Sequence, residues 1–159
     1  MDADLHDFVA DKYESLRRSA FLMGGDWAEA DELTQSVLAR VVADARRGDV
    51  DDPEAYAFAE LMATFQHRPE RREHVFVAPE PPHHETLADQ APAILVLDAL
   101  HKLTPRCRAV LVLRHWDGFD VAGTADVLGL PDDRVAAYES AGLAALENLL
   151  PGMRGPDAR

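Results

Sequence analysis

Apolar residues recur at three- and four-residue intervals in two stretches of the chain, 4–66 and 93–150, and the segment between them, 67–92, breaks that period. In the first stretch, Leu5, Phe8, Val9, Leu16 and Ala20 fall on one side of a helix. Gly24-Gly25 ends it, because glycine enters the left-handed cap conformation without a Cβ clash. Asp26 then offers a carboxylate to the amides that open a second helix, with Glu29 as its capping-box partner. Trp27, Ala30, Leu33, Val37, Leu38 and Val41 supply that helix's apolar stripe. Arg46-Arg47-Gly48 closes it with cations at the negative end of the helix dipole. Asp52-Pro53-Glu54 opens a third helix with a cap, a proline suited to the first turn and a carboxylate near the positive end. Tyr56, Ala59, Met62 and Ala63 are its expected inward positions.

The second stretch has the same texture. Ile94, Leu95, Leu97, Leu100 and Leu103 predict one helix, and Thr104-Pro105 caps and opens the next. That helix carries Val110, Leu111 and Leu113 on its apolar side and Arg114 on its polar side. After a turn at Asp117-Gly118, Asp120 caps a short helix bearing Val121, Ala125, Val127 and Leu128, which Gly129 ends. Pro131 with Asp132-Asp133 begins a last helix reaching about Leu150, and Pro151-Gly152 stops it. A short helix, a tight glycine turn and a second helix make a helix-turn-helix. Pro69 should stop any helix entering the middle segment, and Pro79, Pro81, Pro82 and Pro92 favour an extended, mobile chain there. The expected architecture is therefore all-α. It comprises a helical domain over 1–66, a Pro-rich linker over 67–92, a helix-turn-helix domain over 93–152 and a loose tail over 153–159.

A helix-turn-helix raises the expectation of DNA binding, and the charge opposes it. The formal net charge is −13. Phosphate neutralisation supplies most non-specific affinity for DNA, so this chain is repelled unless a local basic patch prevails. A basic surface on a protein partner is the better default. The single cysteine, Cys107, allows no internal disulfide and fits a reducing compartment. The acidic start, Met1-Asp2-Ala3-Asp4, lacks the features of a signal peptide, and no apolar run approaches the roughly 20 residues of a membrane span. The expected location is the cytoplasm. His83-His84-Glu85 lacks the i, i+4 helical spacing that sets two metal ligands on one face. With no phosphate-binding glycine loop and no nucleophile in a recognisable setting, the sequence implies no enzyme, metal or cofactor.

Four segments carry a family resemblance. The run from Leu97 to Arg114, with Leu103-Thr104-Pro105-Arg106-Cys107-Arg108 at its centre, is similar to the carboxy-terminal, −35-reading domain of extracytoplasmic-function sigma factors of bacterial RNA polymerase. So is Thr124-Ala125-Asp126-Val127-Leu128-Gly129. Upstream, Gly25-Asp26 through Ala30-Asp31-Glu32-Leu33-Thr34-Gln35 resembles the polymerase-binding helix of that family, and Asp52-Pro53-Glu54-Ala55-Tyr56 the start of its −10-reading helix. The resemblance implies two helical domains. One would bind the polymerase clamp and melt the −10 element, and the other would place a recognition helix in the −35 major groove.

Measured against that pattern, the scaffold is kept and the DNA-reading chemistry is largely lost. Leu33 and Gln35 are retained, and Glu29, Asp31 and Glu32 form an acidic flank suited to a basic polymerase or partner surface. On the recognition helix the usual lysine is Ala136, the usual serine Ala137 and an expected arginine Ala141. Arg134 is the only base between Pro131 and Leu150. On the −10 helix, Phe58 and Ala59 replace common basic residues, leaving Arg68, Arg71 and Arg72 as the basic remnant. Two readings stay open. One is a sigma-like regulator acting through protein contacts with RNA polymerase, an anti-sigma factor or another sigma-like or DNA-binding protein. Its recognition face, with Tyr138 among alanines, would then be apolar and DNA binding weak or confined to a complex. The other is a divergent but working sigma factor in which Arg68, Arg71, Arg72 and Arg134 touch the promoter.

Overall fold

A computed structural model describes residues 2–66 and 87–150. Of the linker expected over 67–92, residues 67–86 lie outside those residues, as do the tail over 153–159 and Arg68, Arg71 and Arg72. Among the described residues all regular structure is helical: α1 (Asp2–Gly24), α2 (Trp27–Arg46), α3 (Pro53–Gln66), α4 (Leu87–His101), α5 (Pro105–His115), α6 (Val121–Leu128) and α7 (Asp132–Leu149).

The helix boundaries follow from local chemistry. At the α1–α2 corner, Gly25 has φ +80° and donates its N–H to the Phe21 carbonyl at 2.7 Å. The Asp26 carboxylate accepts from the amides of Ala28 and Glu29 at 2.9 and 3.3 Å. Thr104 Oγ1 caps α5 by accepting from the Cys107 amide at 3.3 Å, and Asp120 caps α6 through the Gly123 amide at 2.7 Å. Gly129, with φ +66°, ends α6, and the Leu130 amide returns to the Ala125 carbonyl at 3.0 Å. Each device satisfies backbone groups that a helix end leaves without partners.

One correction concerns the start of the second domain. The helix expected from Ile94 begins at Leu87, so positions 87–92 are helical and not extended linker. Leu87-Ala88-Asp89-Gln90-Ala91 contains good helix formers, and Pro92 in the second turn removes one intrahelical hydrogen bond without stopping the helix. A second correction concerns α3. Its buried residues are Ala57, Phe58, Leu61, Met62 and Phe65, whereas Tyr56 and Ala59 are half-buried and Ala63 is exposed. Nearly every position of this helix is apolar, so periodicity selects no face, and the larger side chains Phe58, Leu61 and Phe65 take the interior.

The two helical domains, α1–α3 and α4–α7, share a continuous core. It joins Leu16, Phe21 and Met23 of α1, Val37, Leu38 and Val41 of α2, and Phe58, Leu61 and Met62 of α3 to Leu100, Leu111, Leu113 and Val127 of the second domain. Helix α5 lies at its centre, in contact with α1, α3, α4, α6 and α7. Accordingly every residue from Arg108 to Leu113 is buried, more than the one-sided stripe of the sequence predicts. The charged member of that run, Arg108, is 5% exposed and donates to four carbonyls. Its guanidinium reaches Leu100 at 3.0 Å, His101 at 3.4 Å and Leu103 at 3.0 Å around the end of α4, and Met23 at 3.0 Å in the last turn of α1.

Helix α7 crosses α5 closely at Gly142, where an added Cβ would stand 2.9 Å from Leu111 Cδ1 and 3.1 Å from its Cγ. Leu111 is fully buried, so a larger residue at 142 forces its side chain to shift within the core. Gly142→Val is therefore expected to destabilise the fold by about 1–3 kcal/mol through overpacking, measured by urea denaturation. An unchanged midpoint would show that α7 can slide away from α5.

Candidate functional site

The expected partner surface lies on α2. Glu32 and Gln35 are exposed, Glu29 and Asp31 are half-buried, and Leu33 packs against the core. Asp31 is held within the domain: it accepts from Arg17 Nε at 2.5 Å and from the Tyr13 hydroxyl at 3.3 Å. The Arg17 guanidinium in turn sits 4.2 Å above the Trp27 ring, which stacks on Phe21 at 4.0 Å. Part of the acidic flank thus fixes α1 to α2, and Glu32 and Gln35 are its solvent-facing members. Gln35 also borders a groove of about 470 Å³ between α1 and α2, lined by Val9, Tyr13, Leu38, Ala39, Val42 and Arg46. Sequence reasoning missed this groove, although its signal is present. Val9 and Tyr13 on α1, and Leu38 and Val42 on α2, are i, i+4 pairs that line a shared furrow.

On α7, Asp132, Asp133 and Arg134 are exposed, and the Arg134 amide is bound to Asp133 Oδ1 at 3.0 Å. Tyr138 is half-buried, its apolar part packed against the small cluster of Val110, Ala125 and Val135. The exposed residues of α7 beyond Arg134 are Ala136, Ala137, Ser140, Ala141, Leu143, Ala144, Glu147, Asn148 and Leu149. Arg114, the nearest further cation, turns inward: Nε donates to Glu139 at 2.9 Å and Nη1 to the Phe119 carbonyl at 2.9 Å. His115 also lies 3.2 Å from Glu139. The structure therefore does not gather a basic patch on the described part of the helix-turn-helix.

Helix α3 is likewise engaged. Its Tyr56 hydroxyl donates to Asp44 of α2, a bond that raises the phenol above its ordinary value, and Glu60 pairs with Arg40 at 2.5 Å. Ala59, Met62, Ala63 and Gln66 face Arg106, Val127 and Leu128 across a cleft of about 140 Å³. Gln66 Nε2 donates to the Pro105 carbonyl at 3.2 Å, and Phe58 meets Phe119 edge-on at 5.2 Å.

The other polar ties between the domains gather at the end of α1. Ser19 Oγ donates to Asp117 Oδ2 at 2.6 Å, and Arg18 Nη2 donates to the Trp116 carbonyl at 2.9 Å and lies 3.5 Å from Asp117 Oδ1. His101 Nε2 stands 3.1 Å from the Leu22 carbonyl. Burial pushes the Asp117 carboxyl up to about 6; Ser19 and Arg18 pull the other way, and Glu54 of α3 adds repulsion. Among the described residues no group of three or more His, Cys, Asp or Glu could hold a metal ion, and His83, His84 and Glu85 lie outside them. No described helix is long and apolar enough to cross a membrane.

Residues 93–146 match the family model for sigma-70, region 4. Over 163 aligned positions the chain is 30% identical to the RNA polymerase sigma-E factor of Streptomyces coelicolor, spanning 98% of this chain and 90% of that one. The factor of the same name from Streptomyces avermitilis is 29% identical, over 98% and 89% of the two chains. Among solved structures, the sigma factor RpoE in complex with the anti-sigma factor NepR from Bartonella quintana shares the fold. It has a TM-score of 0.77 at 20% identity, covering 95% of this chain and 99% of that chain. CnrH in complex with the cytosolic domain of CnrY gives 0.70 at 22% identity, covering 97% and 92%.

The Asp117 carboxyl generates a prediction with a definite sign. A carboxyl whose folded value, about 6, lies above its unfolded value, 3.8, is bound more tightly to its proton in the folded chain. It favours folding fully below the unfolded value and loses that contribution as pH rises through the folded one. Relative to Asp117→Asn, which does not titrate, the wild-type chain should lose about 2 kcal/mol of stability between pH 4.5 and pH 7. Denaturant unfolding of both proteins at the two pH values measures this. A constant difference would mean that Asp117 titrates normally.

Proposed function

Because the chain belongs to the extracytoplasmic-function branch of the sigma-70 family, we propose that it is a cytoplasmic transcription regulator that works mainly through protein contacts. The observation that carries this reading is the exposed face of α7. In the family this helix reads the −35 element, yet here its exposed positions between Val135 and Ala145 are Ala136, Ala137, Ser140, Ala141, Leu143 and Ala144, preceded by Asp132 and Asp133. A helix N-terminus normally attracts phosphate, and two carboxylates in the first turn remove that attraction. Arg134 is the one cation on the helix, and Arg114 is committed to Glu139. Candidate partners are RNA polymerase core, met through Glu32 and Gln35 of α2, an anti-sigma factor, or a second sigma-like or DNA-binding protein. An anti-sigma partner draws support from RpoE, whose solved complex contains one. Sigma factors are initiation factors, not enzymes, and the residues brought together here support binding.

A second reading, a divergent sigma factor that directs polymerase to promoters, is favoured by the extent of the match: 98% of this chain aligns with sigma-E factors, so both domains are retained. Salt titration separates the two. Under the first reading the isolated chain shows no measurable duplex binding from 50 to 200 mM salt. Ala136→Lys with Ala141→Arg should then create binding whose logarithm falls against log salt with a slope of roughly two. A steep slope in the wild-type chain, together with run-off transcription by added core polymerase, would replace the first reading with the second.

A further inference from the structure

We propose that the contact between the two domains is proton-linked through Asp117: the neutral carboxyl fits the buried place between α1 and the α5–α6 turn, and its ionisation loosens that turn from the first domain.

The cover over this carboxyl comes from the other domain. Asp117 belongs to the α5–α6 turn, which is open on its outer side: Gly118 is exposed, and nothing stands within 4 Å of where its Cβ would be. Yet the Asp117 side chain is 1% exposed. Ser19 Oγ of α1, itself fully buried, donates to Oδ2 at 2.6 Å. Parting the domains would therefore return Asp117 to water as an ordinary turn residue.

The groups around the site hold an ionised form poorly. Oδ1 is buried and receives no hydrogen bond. From α1, Arg18 Nη2 lies 3.5 Å from Oδ1, but its side chain is 47% exposed and that nitrogen donates to the Trp116 carbonyl at 2.9 Å. From α3, Glu54 adds a repelling carboxylate, and Lys12 of α1 pairs with Glu54 at 3.2 Å. Within the second domain, His115 is turned to Glu139 at 3.2 Å, and Asp120 caps α6 through the Gly123 amide. A half-exposed guanidinium and one hydroxyl are weak compensation for a carboxylate taken out of water. The carboxyl accordingly keeps its proton up to about 6.

Because that burden exists only while the domains touch, the proton binds the joined chain more tightly than the parted one. By linkage, acid favours the joined arrangement, and the preference fades as pH rises through about 6. A partner that needs the domains apart meets less resistance at neutral pH than at pH 5. The linkage holds whichever partner the chain takes. Whole-chain unfolding carries the same sign, so the test must tell parting of the domains from loss of the fold.

Thiol labelling of the full chain, in a Cys107→Ser background, makes that distinction. Val127→Cys places a thiol on α6 where it faces α3, and Val41→Cys places one in α2 inside the first domain; both valines are buried. Parting the domains exposes position 127 alone, whereas unfolding exposes both. Protection is the labelling rate of the unfolded chain divided by that of the folded chain at the same pH. The expected result is weaker protection at 127 than at 41. A carboxyl titrating at about 6 when joined and 3.8 when parted should make protection at 127 about tenfold lower at pH 7.5 than at pH 5. Asp117→Asn should remove that pH dependence, and Ser19→Ala, which takes a donor from the carboxylate, should move it to higher pH. Equal protection at the two positions would overturn the proposal, because the domains would then part only by unfolding. So would an unaltered pH dependence in Asp117→Asn. Neither DNA nor polymerase is present in the measurement, so a failure of this linkage and a failure of the proposed function register separately.

Discussion

The Arg108 guanidinium is the point on which the arrangement of the helices depends. Two helix ends, those of α1 and α4, converge inside the protein, and each brings carbonyls that no residue of its own helix can satisfy. The Leu100 carbonyl also accepts from the Leu103 amide at 3.1 Å, and those left without a donor would be unmet acceptors in a low-dielectric interior, at a cost of roughly 1–3 kcal/mol each. A single arginine on the central helix presents several N–H groups in one plane, and Arg108 uses them on Met23, Leu100, His101 and Leu103. Lysine, a point donor on a flexible stem, could not span both ends. Once those ends are fixed, the Gly25 corner and the start of α2 are fixed, as is the Thr104 cap from which α5 itself departs.

The same economy explains how a helix-turn-helix can be so poor in outward charge. Arg108 is consumed by carbonyls, Arg114 by Glu139 and Phe119, Arg17 by Asp31 and Trp27, and Arg40 by Glu60. These structural roles take four of the 16 lysines and arginines in a chain whose net charge is already −13. Inspection of residue types alone counts Arg114 as a cation on a polar face; in the fold it is a brace between α5 and α7. Protein partners with basic surfaces suit such a molecule better than a duplex does.

What the sequence disclosed and what it hid divide along the range of the interactions. Caps at Asp26, Thr104 and Asp120 and the turn glycines Gly25 and Gly129 act over a few residues, and all were legible. So was the all-α class, because the 3.6-residue period is local too. The faces of α3 and α5 were not. A helix apolar on nearly every side gives no preferred direction, and the arginine inside α5 looks like a polar edge until its carbonyl partners are seen. Asp117 was read correctly as a turn residue, but its partner Ser19 lies 98 positions away, and no spacing rule connects them. The reading of Tyr138 as a partner-binding residue did not include the small cluster around Val135, against which the ring packs while the residue stays half-buried. That cluster forms only when α5, α6 and α7 meet.

The interface between the domains is built from opposed contributions, and that is what makes it adjustable. Apolar contacts around Phe58, Phe119 and Val127 favour closure, as does the Arg108 bond to Met23. The Asp117 carboxyl works against them near neutral pH, since ionising it inside the interface is unfavourable enough to raise its titration to about 6, even with Ser19 and Arg18 as partners. An asparagine in its place would hold the Ser19 hydroxyl without that penalty. A carboxylate therefore makes the folded packing of the two domains less stable near neutral pH than a neutral side chain would.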